Sequence, residues 1–383
     1  MKIQDCRKFQ GLLFPCVIML GIVLGHGLAW GLGEGLLVSG ELLEQAGLET
    51  DWQVNLPMKS AEVITRMYAF GEYAYALTNR NYIYCVDIAN KGVRFGTQVA
   101  LRGLPISEPC HYEGQLWFMV GNELLTLDPK SGTVAKRKRL ESVGRSVICG
   151  VVRNKDYLYV PGSDKRLHAI MVDGLWQSFM VASDDDSQVS CVVADDEFVI
   201  LATESGNISR IGSTEPKRRW QYQVIGKVTA PMVRDGGWVY ISSRNSKLYK
   251  LDVNRGHAGW EESFHAGTGL KKGVVAGEKV VYQPAEEKGL YAIDKETGKE
   301  VWNVERGADI LAEIDGKAYV YAYPGVLVVM ENATGKKLYS LNIAGVEKYV
   351  VNPKDGAIYL AEAKGRIVRI EPKRKKGIVS SGN

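Results

Sequence analysis

Apolar and polar positions alternate in short runs along most of the chain, and one run recurs at a steady spacing. It reads Ile83-Tyr84-Cys85-Val86-Asp87 at its first appearance and Leu290-Tyr291-Ala292-Ile293-Asp294 at its sixth. The others occupy 124–128, 167–171, 208–212, 248–252, 327–331 and 367–371, and the last residues of the eight runs are 41, 43, 41, 40, 42, 37 and 40 apart. A second alternating run precedes most of them, as at 115–119, 157–160, 198–201, 238–241, 318–321 and 357–360. Period-two alternation over four to six residues reads as half-buried strand, not helix. Turns rich in Gly, Asp and Asn, such as Arg234-Asp235-Gly236-Gly237, separate the runs. Eight residues past the end of the run stands an aromatic: Phe95, Trp220, Trp260, Trp302 or Tyr339. The second repeat has Lys136 there, and the third has Trp176 at five.

Four short strands in about 40 residues is the period of a propeller blade. A lone four-stranded sheet has two apolar faces that it cannot bury. Packing the blades around an axis buries them, and closing the ring removes the exposed ends. The expectation is all-β: an eight-bladed β-propeller of four-stranded antiparallel blades over residues 51–371. The last repeat runs into Pro372 and Lys373-Arg374-Lys375-Lys376, so it lacks an outer strand with an aromatic. At the other end, 51–56 is an orphan alternating strand carrying Trp52. This N-terminal strand is expected to close the last blade. Residues 30–50 then form a linker or short helix, and 372–383 a basic tail.

The first thirty residues differ in kind. Lys2, Arg7 and Lys8 give a positive start, and from Phe9 to Gly33 there is no Asp, Glu, Lys or Arg. A charged start, an apolar centre and the small residues Gly27 and Ala29 make 1–29 a signal peptide. The uncharged stretch, 9–33, is also long enough to span a bilayer, which takes about 20 residues, so an uncleaved anchor is the alternative. Either way the remainder is exported, to the periplasm or beyond the cell. The uncleaved form would be held at the inner membrane. Lys2 to Lys8 aside, the formal net charge of +4 falls to +2. Neither value points to nucleic acid or to an anionic membrane as partner.

The sixth repeat, Ala292-Ile293-Asp294-Lys295-Glu296-Thr297-Gly298-Lys299-Glu300-Val301-Trp302, resembles the tryptophan-docking repeat of pyrroloquinoline-quinone-type eight-bladed propellers, whose pattern is A-x-D-x-x-x-G-K-x-x-W. Asp252, Gly256 and Trp260 keep it in the fifth repeat, Gly335, Lys336 and Tyr339 in the seventh, and Asp128 and Gly132 in the second. Trp220 and Trp52 hold the aromatic place in the fourth repeat and the closing strand. The resemblance spans residues 51–371 and contrasts with WD40 repeats, whose signatures do not occur. It implies one of two classes. One is the quinoprotein dehydrogenases, with a quinone and calcium at the ring centre. The other is the non-enzymatic branch typified by the outer-membrane-assembly lipoprotein BamB.

The residues favour the second class. The dehydrogenases carry adjacent cysteines, and no Cys-Cys pair occurs; repeats of 37 to 43 residues leave no insertion to house a calcium site. Cys85, Cys110, Cys149 and Cys191 lie in strands of successive blades without metal-binding spacing, so buried thiols are expected, with a Cys149–Cys191 disulfide as the alternative. His111, His168, His257 and His265 share no ligand spacing either. Asp184-Asp185-Asp186 reads as a solvated acidic loop or a cation site. Lys136-Arg137-Lys138-Arg139 reads as an outer strand protected by charge, or an edge that docks an acidic partner. The function expected is a monomeric, cofactor-free binding platform for a protein or other envelope component. A quinone- and metal-dependent dehydrogenase and a carbohydrate-binding propeller are the alternatives.

Overall fold

Each repeat folds into one antiparallel sheet, and the computed structural model contains eight four-stranded sheets over the described residues, 35–144, 150–352 and 354–373. Blade 1 is Ile64–Phe70, Tyr73–Thr78, Tyr82–Asp87 and Gly92–Gln98, paired in chain order. Blades 2 to 7 repeat that order, and the first strands of neighbouring blades touch around the axis. Second and third strands pack on a blade at either face, so alternation vanishes there: every residue of Phe198–Thr203 is buried. Outer strands have splayed from their neighbours and keep the alternation, as in Gln177–Ala182.

Blade 8 takes its outer strand from the N-terminal end. Leu48–Asn55 runs antiparallel to Arg366–Pro372, from Leu48 opposite Pro372 to Asn55 opposite Arg366, with a bulge at Thr50 to Trp52. The strand starts three residues earlier than the sequence reading placed it, because Leu48 is itself core, 1% exposed. In the stretch read as a linker or short helix, a short helix forms and is packed. Helix α1, Gly40–Gln45, buries Leu43, and Val38 and Ala46 join it against Leu311, Leu341, Ile343 and Val346. Pro372 and Lys373 belong to the body and not to a tail: the Lys373 amide donates to the Gly47 carbonyl at 2.9 Å. The export segment, the tail beyond 373 and Cys149 lie outside the described residues. Among the described residues no helix is long and apolar enough to cross a membrane.

One cation fastens the closure. Arg369 contacts Asp51 at 2.5 Å, Glu371 at 2.9 Å and Asp355 at 3.2 Å, and its Nε donates to the Tyr359 hydroxyl at 3.0 Å. Lys91 of blade 1 reaches the other oxygen of Asp51 at 2.7 Å. Burial raises the Asp51 carboxyl, but the hydrogen bonds and charges of Lys91 and Arg369 outweigh it and hold it below the ordinary range.

Candidate functional site

The recurrent acid, glycine and aromatic form one device at several blade junctions, most fully between blades 5 and 6. Asp294 ends the third strand of blade 6, and its carboxylate accepts the amides of Glu296 at 3.1 Å and Thr297 at 2.7 Å. Those bonds, the Thr297 amide foremost, hold the Asp294 carboxyl below its usual range. The Gly298 amide returns to the Asp294 carbonyl at 3.0 Å, and the Asp294 amide donates to the Lys299 carbonyl at 2.9 Å. Gly298 sits at φ +73°, and a Cβ there would stand 2.7 Å from Cδ2 of Trp260, the aromatic of the preceding blade. The indole of Trp260 then donates to the Lys295 carbonyl at 2.9 Å.

The same parts recur elsewhere. Asp252 accepts the amides of Asn254 and Arg255, Gly256 lies under Trp220, and Trp220 donates to the Val253 carbonyl at 2.8 Å. Asp128 accepts the amides of Lys130 and Ser131, and Gly132 lies under Phe95. Ala292 pairs with Trp302 and is fully buried; a small side chain there leaves room for the ring. Trp302 is buried against Ile310, Ala318 and Met330 of blade 7, and Trp52 packs with Tyr84 and Val86 of blade 1. Trp260 does not stand on an outer strand, as its spacing suggested. Blade 5 has a longer hairpin whose outer strand is only Phe264–His265, and the ring docks from the hairpin.

Two cavities open on the axis. One, of about 470 Å³, is lined by the first strands of blades 3 and 4 and the connections into blades 2 to 5, among them Ile106, Glu108, Val151, Cys191 and Pro231. The other, of about 870 Å³, gathers Tyr68, Phe70, His111 and Tyr349 from blades 1, 2 and 8. Phe70 and His111 stack at 5.1 Å. Carboxylates at the axis are already engaged. Glu108 accepts from Arg66 at 2.6 Å and from the Tyr68 hydroxyl at 2.8 Å. Asp309, 6% exposed, accepts from Lys272 at 2.6 Å and Tyr349 at 2.8 Å. Burial first, then the neighbouring carboxylate, pushes both phenols up, so they stay protonated and donate. A calcium-bound quinone needs free oxygen donors, and these acids are consumed by cations and phenols, so the residues present do not fit that group.

Among the described residues no group of three His, Cys, Asp or Glu is placed to hold a metal ion. Asp184, Asp185 and Asp186 are exposed, as a solvated acidic loop would be, and are tied locally: Asp184 pairs with Arg218, Asp186 with Lys165, and Asp185 accepts the Ser187 amide at 3.1 Å and the Ser205 hydroxyl. Cys85 and Cys191 are buried free thiols, raised by burial to about 12 and about 11. Cys110 is free and half-buried.

Exposed apolar side chains stand on loops, Ile225 on the connection from blade 4 to blade 5 and Tyr323 on the turn between the second and third strands of blade 7. Ile225 is 70% exposed, yet its carbonyl is pinned by the Ser243 hydroxyl at 2.7 Å. Tyr323 is 60% exposed, with its amide bonded to the Arg306 carbonyl at 2.9 Å. Sequence reasoning passed over both, and over Arg369. A charged residue inside an apolar strand was the available signal for Arg369; for the exposed pair there was none, because exposure is a tertiary property.

A family model described as outer membrane protein assembly factor BamB matches residues 41–262 and 244–377. The chain belongs to the BamB family. A relative of that description from Yersinia pestis is 23% identical over 199 residues, 47% of this chain and 50% of its own length. The chain thus spans about half the length of the curated relative it matches. The crystal structure of BamB from Moraxella catarrhalis superposes with a TM-score of 0.65 at 14% identity, covering 85% of this chain and 99% of that one. A computationally designed protein, Ika8, superposes at 0.66 and 11% identity, covering 82% and 98%. At these identities the two structures speak for the fold alone.

Proposed function

We propose that this chain is an exported, non-catalytic scaffold of the cell envelope that presents a rigid ring of loops to proteins engaged in outer-membrane protein assembly. The single observation that carries the reading is the family match, which extends over both halves of the ring and is described by that role. Physical chemistry supports it. A ring whose last blade is completed by its N-terminal strand holds its loops still, so side chains such as Ile225 and Tyr323 meet a partner with little ordering cost. The engaged acids of the axis support a cofactor-free role. The test is complementation. In cells lacking the chain, outer-membrane β-barrel proteins should fall in abundance, and the wild-type chain should restore them. Ile225→Asp with Tyr323→Asp should accumulate normally but fail to restore. Unchanged barrel abundance in the deletion strain would refute the assembly role.

A further inference from the structure

The blade 2 to blade 3 junction lacks the docking device that joins blades 1 to 2, 4 to 5 and 5 to 6, and the difference lies at the surface. Lys136 pairs with Thr126 at the register where Trp220 pairs with Arg210 and Trp302 with Ala292. Where those blades carry a docking ring, blade 2 carries an ammonium. Its outer strand, Val134–Arg139, is exposed at five consecutive residues, four of them cations. Blade 3 lacks the receiving turn as well. Met171 stands in place of the acid, and Gly174 lies under Trp176 of its own hairpin. Trp176 is therefore left 56% exposed, whereas Trp52, Trp260 and Trp302 are 5% exposed.

Hydrogen bonds hold apolar groups on both sides of the basic strand. The Lys138 ammonium donates to the Gly174 carbonyl at 2.8 Å, which brings the Trp176 hairpin alongside. The Arg137 guanidinium donates to the Val99 carbonyl at 2.9 Å, which brings the 99–104 connection to the other side. That connection carries Leu101, 74% exposed, and Leu104, 46% exposed. Both of their carbonyls are clasped by the Asn81 amide, at 2.7 and 3.0 Å, so the leucines are presented and not merely loose. Glu123 and Glu141 answer Arg137 and Arg139, but among the described residues no carboxylate lies within ion-pair range of Lys136 or Lys138.

Exposed Trp and Leu interleaved with cations on a convex rim is the composition that enters the headgroup layer of an anionic bilayer. We infer that the outer rim of blades 1 to 3 is a membrane-contact surface, with Lys136 and Lys138 on lipid phosphates and Trp176, Leu101 and Leu104 at the acyl boundary. This is independent of the scaffold role, and the small net charge does not bear on it, because the attraction decays within a Debye length and is local.

The test uses the full chain reconstituted in vesicles, with a genetically encoded fluorescent amino acid in place of exposed Ser178 and, separately, of Ile225. Brominated phosphatidylcholine supplies the quencher, with or without about 30 mol% of the anionic lipid phosphatidylglycerol. The probe at 178 should be quenched in the anionic vesicles alone, and released by roughly 0.5 M NaCl. Lys136→Gln with Lys138→Gln should lower the docked-to-free ratio about 25-fold, near fivefold for each lysine. Leu101→Ser with Leu104→Ser, on a loop outside the sheet, should release the probe with the circular dichroism unchanged. Equal quenching at 178 and 225, or quenching at 178 that ignores phosphatidylglycerol and the lysines, overturns the inference. A rim that stays off both vesicles yet binds an acidic protein overturns it too.

Discussion

Gly298→Ala isolates the blade-docking device. Gly298 and Gly316 both sit at φ +73°, but a Cβ on Gly316 would meet nothing within 4 Å, while one on Gly298 would press into the Trp260 indole at 2.7 Å. Both substitutions force an L-residue into the left-handed region, at about 1–2 kcal/mol, partly offset by a stiffer unfolded chain worth about 0.4–1 kcal/mol. Gly316→Ala should therefore cost about 1 kcal/mol. Gly298→Ala must also displace a buried ring whose N–H is bonded to Lys295, and overpacking of that kind adds about 1–3 kcal/mol. Urea unfolding followed by far-ultraviolet circular dichroism reads both values, since neither change alters a chromophore. In the Trp260→Leu background the extra cost should vanish, leaving Gly298→Ala near the Gly316 value. Equal destabilisation by the two alanines within about 0.5 kcal/mol would show that the glycine serves the turn alone and that ring docking has no part in its selection.

Three further outcomes follow from the same contacts. Arg369→Met leaves Asp51, Asp355 and Glu371 crowded with Lys91 as the cation still in contact, and should cost about 3–5 kcal/mol with faster proteolysis near residue 48; Arg369→Lys should recover part of it. The carboxyls of Asp87, Asp128 and Asp294 are held down chiefly by backbone amides, so their stabilisation is complete above the unfolded value of about 3.9 and is lost as pH falls through their lower folded values. Melting temperature should thus be flat from neutrality to about pH 5 and drop below about pH 4, with a smaller drop in Asp294→Asn. Cys85 and Cys191, their thiols raised to about 12 and about 11 by burial, should resist alkylation at pH 8 in the native protein and react once it is unfolded, as mass spectrometry of peptides would report.

The amino-acid order alone determined the blade. Strand periodicity, the Asp-to-Gly turn and the aromatic eight residues on are local relations, each set by neighbours within a dozen positions, and eight copies at near-equal spacing leave a ring as the way to bury both faces of every sheet. Even the closure was legible, because Trp52 had a strand but no blade. Tertiary structure decided the rest. Leu48 joined the closing strand because α1 seals it, and Trp260 docks from a hairpin because blade 5 lengthened its turn. Asp51 and Arg369 are 318 residues apart, and no local rule brings them to 2.5 Å. The exposure of Trp176, Leu101 and Ile225 was also invisible in a linear pattern, where an apolar residue reads the same whether a neighbouring blade covers it or water does.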